Sequence, residues 1–298
     1  MTQKAVALLL HIPQSTLSDL LHRKTDSVRR GHKITGLTRL GIDEISYRKG
    51  KKYAAIVYDM VRACVVWVGE GKNRDTADRF FKETLTIEQR RHIRFACCDM
   101  SRAYMGAIQA WCPNAVLVLD RFHIVKALNT AVDEVRKEEW RKARGKDKEV
   151  VKGLRWLLYM HSPNRTKSDT RKLNILKLSN RRIHRAWVLK DEFEMFWDYS
   201  YTGSADSFLQ RWITAALRSR IRPLKVFAIT LRRNAENILP FIRTRITNAQ
   251  SEGINRIIKI VKNRASGFAN LEAFTDMIFL TVGDVDIPAQ IPAHFRTL

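Results

Sequence analysis

The chain contains two kinds of hydrophobic pattern, one typical of strands and one typical of helices. Residues 40–47, 53–58 and 63–68 are apolar runs rich in β-branched and aromatic side chains, and short turns separate them. This pattern predicts an antiparallel meander of three strands. Two more apolar runs, 93–98 and 115–119, each follow a segment with helical periodicity. Because a helix between two strands usually makes a crossover, these later strands are expected to pair in parallel.

Apolar side chains at helical spacing fill the segments between the later strands. The two stripes consist of Ala77, Phe80, Phe81 and Leu85, and of Tyr104, Ala107, Ile108 and Trp111. Spacings of three and four residues bring such side chains to one face of a helix, and Ser101 is placed to cap the second helix. Three strands followed by alternating helices and strands predict an α/β fold with a ribonuclease H-like mixed sheet.

Residues 125–245 show helical periodicity throughout and are strongly basic. They separate the predicted sheet from the last helical patterns, so we expect a large all-helical insertion. Its basic side chains are expected to supply a phosphate-binding face. The tryptophans of the segment, taken one at a time, are each expected in its core; they are Trp156, Trp187, Trp197 and Trp212.

The first 28 residues predict a partial helix-turn-helix, with Ile12-Pro13 as the turn and Gln14 or Ser15 as the cap of the second helix. The positions expected to be buried are Ala5, Leu8 and Leu9, and Leu17, Leu20 and Leu21. A complete motif needs a further helix upstream. An ordinary helical hairpin therefore has equal weight.

These patterns divide the chain into six expected segments. They are the partial helix-turn-helix at 1–28, a basic linker at 29–39, the first part of the ribonuclease H-like core at 40–124, the helical insertion at 125–245, the closing helices of the core at 246–284 and a tail at 285–298. The core is thus expected to be interrupted by the insertion.

Charge points to the partner. The chain has 54 Lys and Arg against 30 Asp and Glu, a formal net charge of +24, and 45% hydrophobic residues. Such an excess favours a polyanion, because each neutralised phosphate releases counterions, and the hydrophobic content excludes a disordered basic tail. We therefore expect DNA as the partner.

Cysteine spacing and the length of the apolar runs bear on the compartment and on membrane association. The four cysteines form no C-x-x-C pair, so the spacing of a zinc finger is missing. No secretory signal is present, and no apolar run approaches the roughly 18 residues that cross a bilayer. We expect no membrane association and a cytoplasmic location.

The segment 247–262 combines helical spacing with chemically active side chains. At about 100° per residue, an apolar stripe forms on one face and a polar row on the other. The stripe is Ile254, Ile257, Ile258 and Val261, and the row is Asn248, Glu252, Asn255 and Lys259. The stripe would hold the helix against a core and direct a carboxylate, two amides and an ammonium group to one place.

Two aspartates associated with strands, Asp43 and Asp99, can meet Glu252. Three carboxylates repel by roughly 4 kcal/mol per close pair at an effective dielectric near 20, so such a cluster implies raised pKa values or a bound metal. Two Mg²⁺ ions bound by oxygen ligands suit phosphodiester transfer. Taken singly, Asp43 can be a solvated residue, Asp99 a helix cap, and Glu252 the partner of Arg256 at i,i+4.

Four segments together resemble the insertion-sequence transposases of the ISL3 family: Gly41-Ile-Asp43-Glu, Cys98-Asp99-Met-Ser-Arg-Ala-Tyr104, Asp120-Arg-Phe-His123 and Asn248-Ala-Gln-Ser-Glu252-Gly-Ile-Asn255-Arg-Ile-Ile-Lys259. The resemblance implies a transposase with an Asp-Asp-Glu triad on a ribonuclease H-like core. Asp43, Asp99 and Glu252 would be both the catalytic residues and the ligands of Mg²⁺, for which Mn²⁺ is an expected substitute. Lys259 would contact DNA near the reacting phosphate.

The remaining polar residues of these segments receive weaker assignments. Asn248, Asn255 and Arg256 are expected to contact DNA, or in the case of the two amides to support the metal ligands. Asp120 and His123 share a face at the start of a helix and are possible accessory residues at the rim of the site. In the alternative interpretation, Asp120 caps this helix and His123 packs in its first turn.

The expected function is cleavage at the ends of a mobile element and joining of those ends to target DNA. A homodimer or higher assembly on DNA, in the nucleoid of a prokaryote, would fit that task. Members of the family usually carry a cysteine-rich zinc segment and a complete helix-turn-helix before the core, and we expect this chain to be short there. Two rivals stay open: a ribonuclease H-like nuclease that cuts without joining, and a non-catalytic DNA-binding remnant or regulator.

Overall fold

The computed structural model describes residues 2–31, 34–48, 50, 52–247, 249–265, 267–268 and 270–283. They form two compact units. The described residues of Met1–Ala115 and Asn248–Leu298 make up the sheet unit, and Val116–Thr247 makes up the helical unit. No helix among the described residues has both the length and the apolar character required to span a bilayer.

The secondary structure is mixed, with helices predominating. In chain order the elements are α1 (Gln3–Leu9), α2 (Gln14–Gly31), β1 (Arg39–Arg48), β2 (Lys52–Asp59), β3 (Cys64–Glu70), α3 (Arg74–Arg79), a π-helical turn (Phe80–Thr84), α4 (Ile87–His92), β4 (Phe95–Cys98), α5 (Arg102–Trp111), β5 (Val116–Leu119), α6 (Arg121–Lys142), α7 (Gly145–Gly153), α8 (Arg155–Tyr159), a 3₁₀ turn (Ser162–Asn164), α9 (Lys167–Ser179), α10 (Arg181–Glu194), a second 3₁₀ turn (Met195–Asp198), α11 (Thr202–Arg218), α12 (Arg222–Arg233), α13 (Ala235–Ile238), α14 (Pro240–Thr244), α15 (Ala249–Arg264) and α16 (Leu271–Val282).

The sheet of the sheet unit is mixed, as predicted. Its strands lie in the order β3-β2-β1-β4. β1 pairs with β2 and β2 with β3 in antiparallel fashion, whereas β1 and β4 are parallel. The meander and the parallel fourth strand predicted from the hydrophobic pattern are therefore confirmed. β5 forms where the fifth apolar run predicts a strand, and it is the first element of the helical unit.

The turn between β2 and β3 is closed by Asp59. Its carboxylate accepts hydrogen bonds from the backbone N–H groups of Val61 (2.8 Å) and Arg62 (3.1 Å) and from Nε of Arg62 (2.7 Å). Asp59 is buried, and these donors satisfy its charge. Its contacts shape the turn between β2 and β3.

The helical stripes between the strands are largely buried as predicted. Ala77, Phe80, Phe81 and Leu85 are all in the core, although the stripe is split between α3 and the π-helical turn. α4 was not predicted. It begins with a capping box, in which Thr86 and Gln89 bond each other's backbone N–H groups.

The two amino-terminal helices form where expected, but their buried positions differ. Leu8, Leu9 and Leu20 are exposed, whereas Ala7, Leu17 and Thr25 are buried. The prediction of buried Leu8, Leu9 and Leu20 was therefore wrong. α2 lies against α16, which draws polar as well as apolar residues into the contact, and it runs to Gly31, into the segment expected to be a linker.

The contact between α2 and α16 centres on Asp276, which is 7% exposed. Thr25 donates a hydrogen bond to its Oδ1 (2.6 Å), and Nδ1 of His22 lies 3.1 Å from its Oδ2. His22 also reaches the more exposed Glu272, with 3.3 Å between Nε2 and Oε1. A buried carboxylate thus links the amino-terminal helix to the last helix of the sheet unit.

Beyond β5, the helical unit is all-helical, in agreement with the periodicity of its sequence. Its core includes a cluster of stacked and edge-to-face rings around Phe193, with Trp197 and Trp212 buried within it. Nε1 of Trp212 donates to the carbonyl of Leu189 (2.7 Å), which satisfies the indole. The expectation of a buried Trp156 was wrong: its side chain is 70% exposed.

Candidate active site

Asp43 and Asp99 are neighbours in the sheet register. The parallel pairing of β1 with β4 places Leu40 beside Ala96 and Gly41 beside Cys97. Continued by two residues, this register puts Asp43 beside Asp99, immediately after the carboxyl end of β4. Adjacent strands are about 4.8 Å apart, and residues in register point to the same face. The register therefore supports the expectation that the two carboxylates are neighbours at this edge of the sheet.

Backbone groups hold one oxygen of each aspartate. The N–H of Glu44 donates to Oδ1 of Asp43 (2.8 Å), and the N–H of Ser101 donates to Oδ1 of Asp99 (2.9 Å). Ser101 occupies the position before the first residue of α5, but its hydroxyl makes no capping hydrogen bond. The Asp99 carboxylate thus holds the loop residue that precedes α5, and the predicted Ser101 cap is not formed.

Helix α15 is fixed to β1 at two points. Nδ2 of Asn255 donates to Oδ2 of Asp43 (2.6 Å), and Nζ of Lys262 donates to the carbonyl of Ser46 (2.8 Å). Seven helical residues rise about 10.5 Å, and three strand residues rise about 10 Å. The agreement means that α15 runs alongside β1 in the same direction.

Glu252 lies one helical turn before Asn255 on α15. The two positions differ by three residues, or about 60° around the helix axis. The Glu252 side chain is exposed. Among the described residues, however, no three carboxylates, imidazoles or thiols lie close enough together to hold a metal ion. The fold thus pairs the two aspartates and sets Glu252 on the adjoining helix, without gathering all three around one point.

The observed faces of α15 differ from the predicted ones. Ile254 and Ile258 are buried as expected, but Ile257 is 41% exposed and Asn255 only 5% exposed. The buried side of the helix is centred between the isoleucines and Asn255, because the phenol of Tyr58 on β2 donates a hydrogen bond to the Asn255 amide oxygen. Placing Asn255 opposite the apolar stripe was therefore wrong.

The remaining predicted residues of this helix are Lys259, Arg256 and Asn248. Lys259 and Arg256 are exposed, and within the described residues neither forms an ion pair. The pairing of Glu252 with Arg256 considered from the sequence is likewise not formed between these described side chains. Asn248 lies outside the described residues. Two cationic side chains are therefore presented to solvent beside Glu252.

Tyr104 and Glu44 were not recognised from the sequence as part of this region. Tyr104 on α5 is fully buried, and its hydroxyl has no hydrogen-bond partner among the described residues. Burial raises the pKa of Tyr104, and the charges of Glu44, Asp99 and Asp43 raise it further. The phenol therefore stays protonated. In the sequence Tyr104 is one member of an apolar stripe, which gives no sign of this position.

Asp120 and His123 lie in the helical unit, at the start of α6. Asp120 is buried and caps the helix: its Oδ1 accepts from the N–H of Phe122 (3.3 Å), and its Oδ2 lies 2.8 Å from Nδ1 of His123. The predicted shared face is present, and the capping interpretation describes these contacts. The accessory role remains a prediction.

Comparisons with known proteins agree with this geometry. The profile of the ISL3 group of DDE transposases, described as "Transposase", matches residues 40–278. The "Transposase for insertion sequence element IS1001" of Bordetella parapertussis is 33% identical over 238 residues, which cover 79% of this chain and 58% of that protein. The "Transposase for insertion sequence element IS1557" of Mycobacterium tuberculosis (strain CDC 1551 / Oshkosh) is 26% identical over 306 residues, covering 94% of this chain and 68% of that protein.

The matched regions have two consequences. The chain spans about three fifths of the first of these relatives and about two thirds of the second. The profile match runs from the start of β1 into α16 and so includes Asp43, Asp99 and Glu252. On this match, the chain belongs to the ISL3 family of transposases.

Proposed function

We propose that this protein is a DNA transposase that cuts at the ends of a mobile element and joins them to target DNA. The observation that supports the proposal most directly is the parallel register of β1 and β4, from which we infer that Asp43 and Asp99 are neighbours, while Asn255 bonds the helix bearing Glu252 to Asp43. We infer a ribonuclease H-like core for this arrangement, interrupted by the helical unit.

The donor set suits a hard divalent cation. Asp43, Asp99 and Glu252 would hold Mg²⁺, or Mn²⁺ in its place, because carboxylate oxygens are the ligands that these ions prefer. When bound, a pair of such ions supplies charge stabilisation to the attacking and leaving oxygens of a phosphodiester.

The reaction consists of two displacements at phosphorus. In the first, the oxygen of water bonds to the phosphorus at the element end, the bond to the 3′ oxygen breaks, and this oxygen leaves as a 3′-hydroxyl. In the second, that hydroxyl attacks a phosphodiester of the target in line, and the target's own 3′ oxygen leaves as a hydroxyl.

The chain's own groups position the substrates. The N–H groups of Glu44 and Ser101 hold the aspartates, and Asn255 holds the second oxygen of Asp43. Lys259 and Arg256, both exposed, would bind phosphates next to the carboxylates. The net charge of +24 would attract DNA to the rest of the surface. Pairing of two element ends would require a homodimer or higher assembly on nucleoid DNA.

The test uses purified protein and DNA carrying the sequences that flank its own gene, with Mg²⁺, Mn²⁺ or EDTA. Gel analysis of the products separates three outcomes. Cleaved and joined products that depend on the metal would support the transposase. Cleavage that never leads to joined products would indicate a nuclease, and binding with no cleavage in any metal would indicate a non-catalytic DNA-binding protein.

A further inference from the structure

We propose that Tyr58 and Asn255 form a buried relay that positions the Asp43 carboxylate for metal binding, an inference that rests on the proposed function. Tyr58 belongs to β2 and Asn255 to α15. An apolar side chain would be sufficient for packing at either position. Both are buried within the core that α15 and α16 form against the sheet.

The register of β1 and β2 sets the positions of Tyr58 and Asp43, the two residues that Asn255 joins. β1 and β2 pair Gly41 with Tyr58 and Asp43 with Ile56, so Tyr58 lies diagonally across from Asp43 on the same face. Diagonal neighbours in an antiparallel pair are about 7–8 Å apart, so a side chain that enters between them can contact both. Asn255 enters from α15 and spans this gap, with its amide oxygen toward Tyr58 and its amide nitrogen toward Asp43.

The directions of the two hydrogen bonds determine which way the Asn255 side-chain amide is turned. Burial and the charge of Asp43 raise the pKa of Tyr58 well above its ordinary value, so the phenol stays protonated and donates. The Asn255 oxygen accepts this bond, and its NH₂ group is consequently turned toward Oδ2 of Asp43. Removal of the tyrosine hydroxyl would take away the donor to the Asn255 oxygen and leave the amide held through its bond to Asp43 alone, with more freedom to tilt.

Hydrogen bonds from within the protein orient the Asp43 carboxylate. Oδ2 accepts from Asn255 and Oδ1 accepts from the Glu44 N–H, so both oxygens have a donor and the plane of the carboxylate is set. The residue itself is only half-buried, which leaves part of it open to solvent. A ligand oriented in advance loses less freedom when it binds a cation, and the loss of such an outer partner typically weakens metal binding about 10–100-fold.

The experiment measures Mn²⁺ binding to the full chain by titration calorimetry, without DNA. Tyr58→Phe removes the hydroxyl at the start of the relay. The matched control is Tyr47→Phe: Tyr47 belongs to the same buried cluster, and its hydroxyl donates to Glu70 (2.9 Å) instead of Asn255. Asn255→Ala, which removes both bonds, is a second test should Tyr58→Phe fold poorly, and Asp43→Asn reports on the ligand itself.

The expected result is Mn²⁺ affinity about 10-fold weaker for Tyr58→Phe and weaker still for Asn255→Ala, with Tyr47→Phe within twofold of the unsubstituted protein. Loss of Mn²⁺ binding in Asp43→Asn with unchanged affinity in Tyr58→Phe and Asn255→Ala would overturn the relay alone. Unchanged affinity in Asp43→Asn would overturn the proposed metal site and the relay with it.

Discussion

Asn255 donates a hydrogen bond to Asp43 across 2.6 Å, although 212 residues separate them in the sequence. The bond joins β1, the first strand of the sheet unit, to α15. In the sequence, β1 precedes the helical unit and α15 follows it. It also determines where Glu252 lies, because Glu252 precedes Asn255 by one helical turn.

Replacement of Glu252 by Gln is expected to abolish strand transfer and leave DNA affinity within a few fold. Gln keeps the size of the side chain but removes the anionic oxygens that a cation needs. Gel-shift and strand-transfer assays on one DNA would separate the two effects. Glu88→Gln, the same change at an exposed position in the first turn of α4, is the control and should keep both. DNA binding lost together with activity would count against a purely catalytic role.

Lys259→Ala should weaken DNA binding and lower the salt dependence of the affinity. Each phosphate contact contributes about 0.9 to the slope of log K against log salt, so the slope should fall by roughly one. Fluorescence anisotropy between low and moderate salt measures it. Lys262→Ala is the control, because its ammonium group is bonded to the Ser46 carbonyl. Equal slopes in Lys259→Ala and the unsubstituted protein would show that Lys259 contacts no phosphate.

Asp276→Ala should destabilise the sheet unit by about 1–2 kcal/mol, because the buried Thr25 hydroxyl loses its shortest hydrogen bond and keeps only the carbonyls of Leu21 and His22, and because His22 loses its closer partner. Glu272→Ala, one turn earlier on α16, should cost less than about 0.5 kcal/mol, since its side chain is 61% exposed. Urea unfolding of both variants provides the comparison. Similar losses in the two variants would mean that burial of the Asp276 contact is not what stabilises α2.

Acid should destabilise the helical unit. Burial acts to raise the pKa of Glu139, but hydrogen bonds from Arg182, Asn180 and Lys142 outweigh it and lower the pKa. A lowered folded-state pKa stabilises the fold above the ordinary carboxyl value near 4, and this stabilisation is lost as the pH falls through the folded-state pKa. Free energies of unfolding from urea titrations at pH 6, 4.5 and 3.5 should therefore decline, less steeply in Glu139→Gln. Identical pH slopes in the two proteins would refute this contribution.

The sequence was sufficient to predict the strands and the pairing of the two aspartates' strands. β1 to β4 are strongly apolar, and short turns connect β1 to β2 and β2 to β3, features that depend on local sequence. The register of β1 and β4 does not follow from parallel pairing alone and is read from the structure. α4 was missed because none of its residues is buried, so it has no apolar stripe. The available signal was its capping box at Thr86 and Gln89.

The contacts of Asn255 and Leu8 could not be predicted for a different reason. Helical spacing indicates which residues share a face, but the partner available at the edge of that face depends on distant parts of the chain. Tyr58 supplies a donor for Asn255 and draws it into the core. Nothing in the described residues covers Leu8, while α2 packs on α16 through the polar residues His22 and Thr25.

The central claim is that paired aspartates on β1 and β4 carry out DNA strand transfer with a divalent metal. The most direct test compares the unsubstituted protein with Asp43→Asn and Asp99→Asn in the cleavage and joining assay with Mg²⁺, and uses the exposed Asp19→Asn as the control. The account predicts joined products with the unsubstituted protein and Asp19→Asn, and none with the other two. Joining that persists in Asp43→Asn or Asp99→Asn would contradict it.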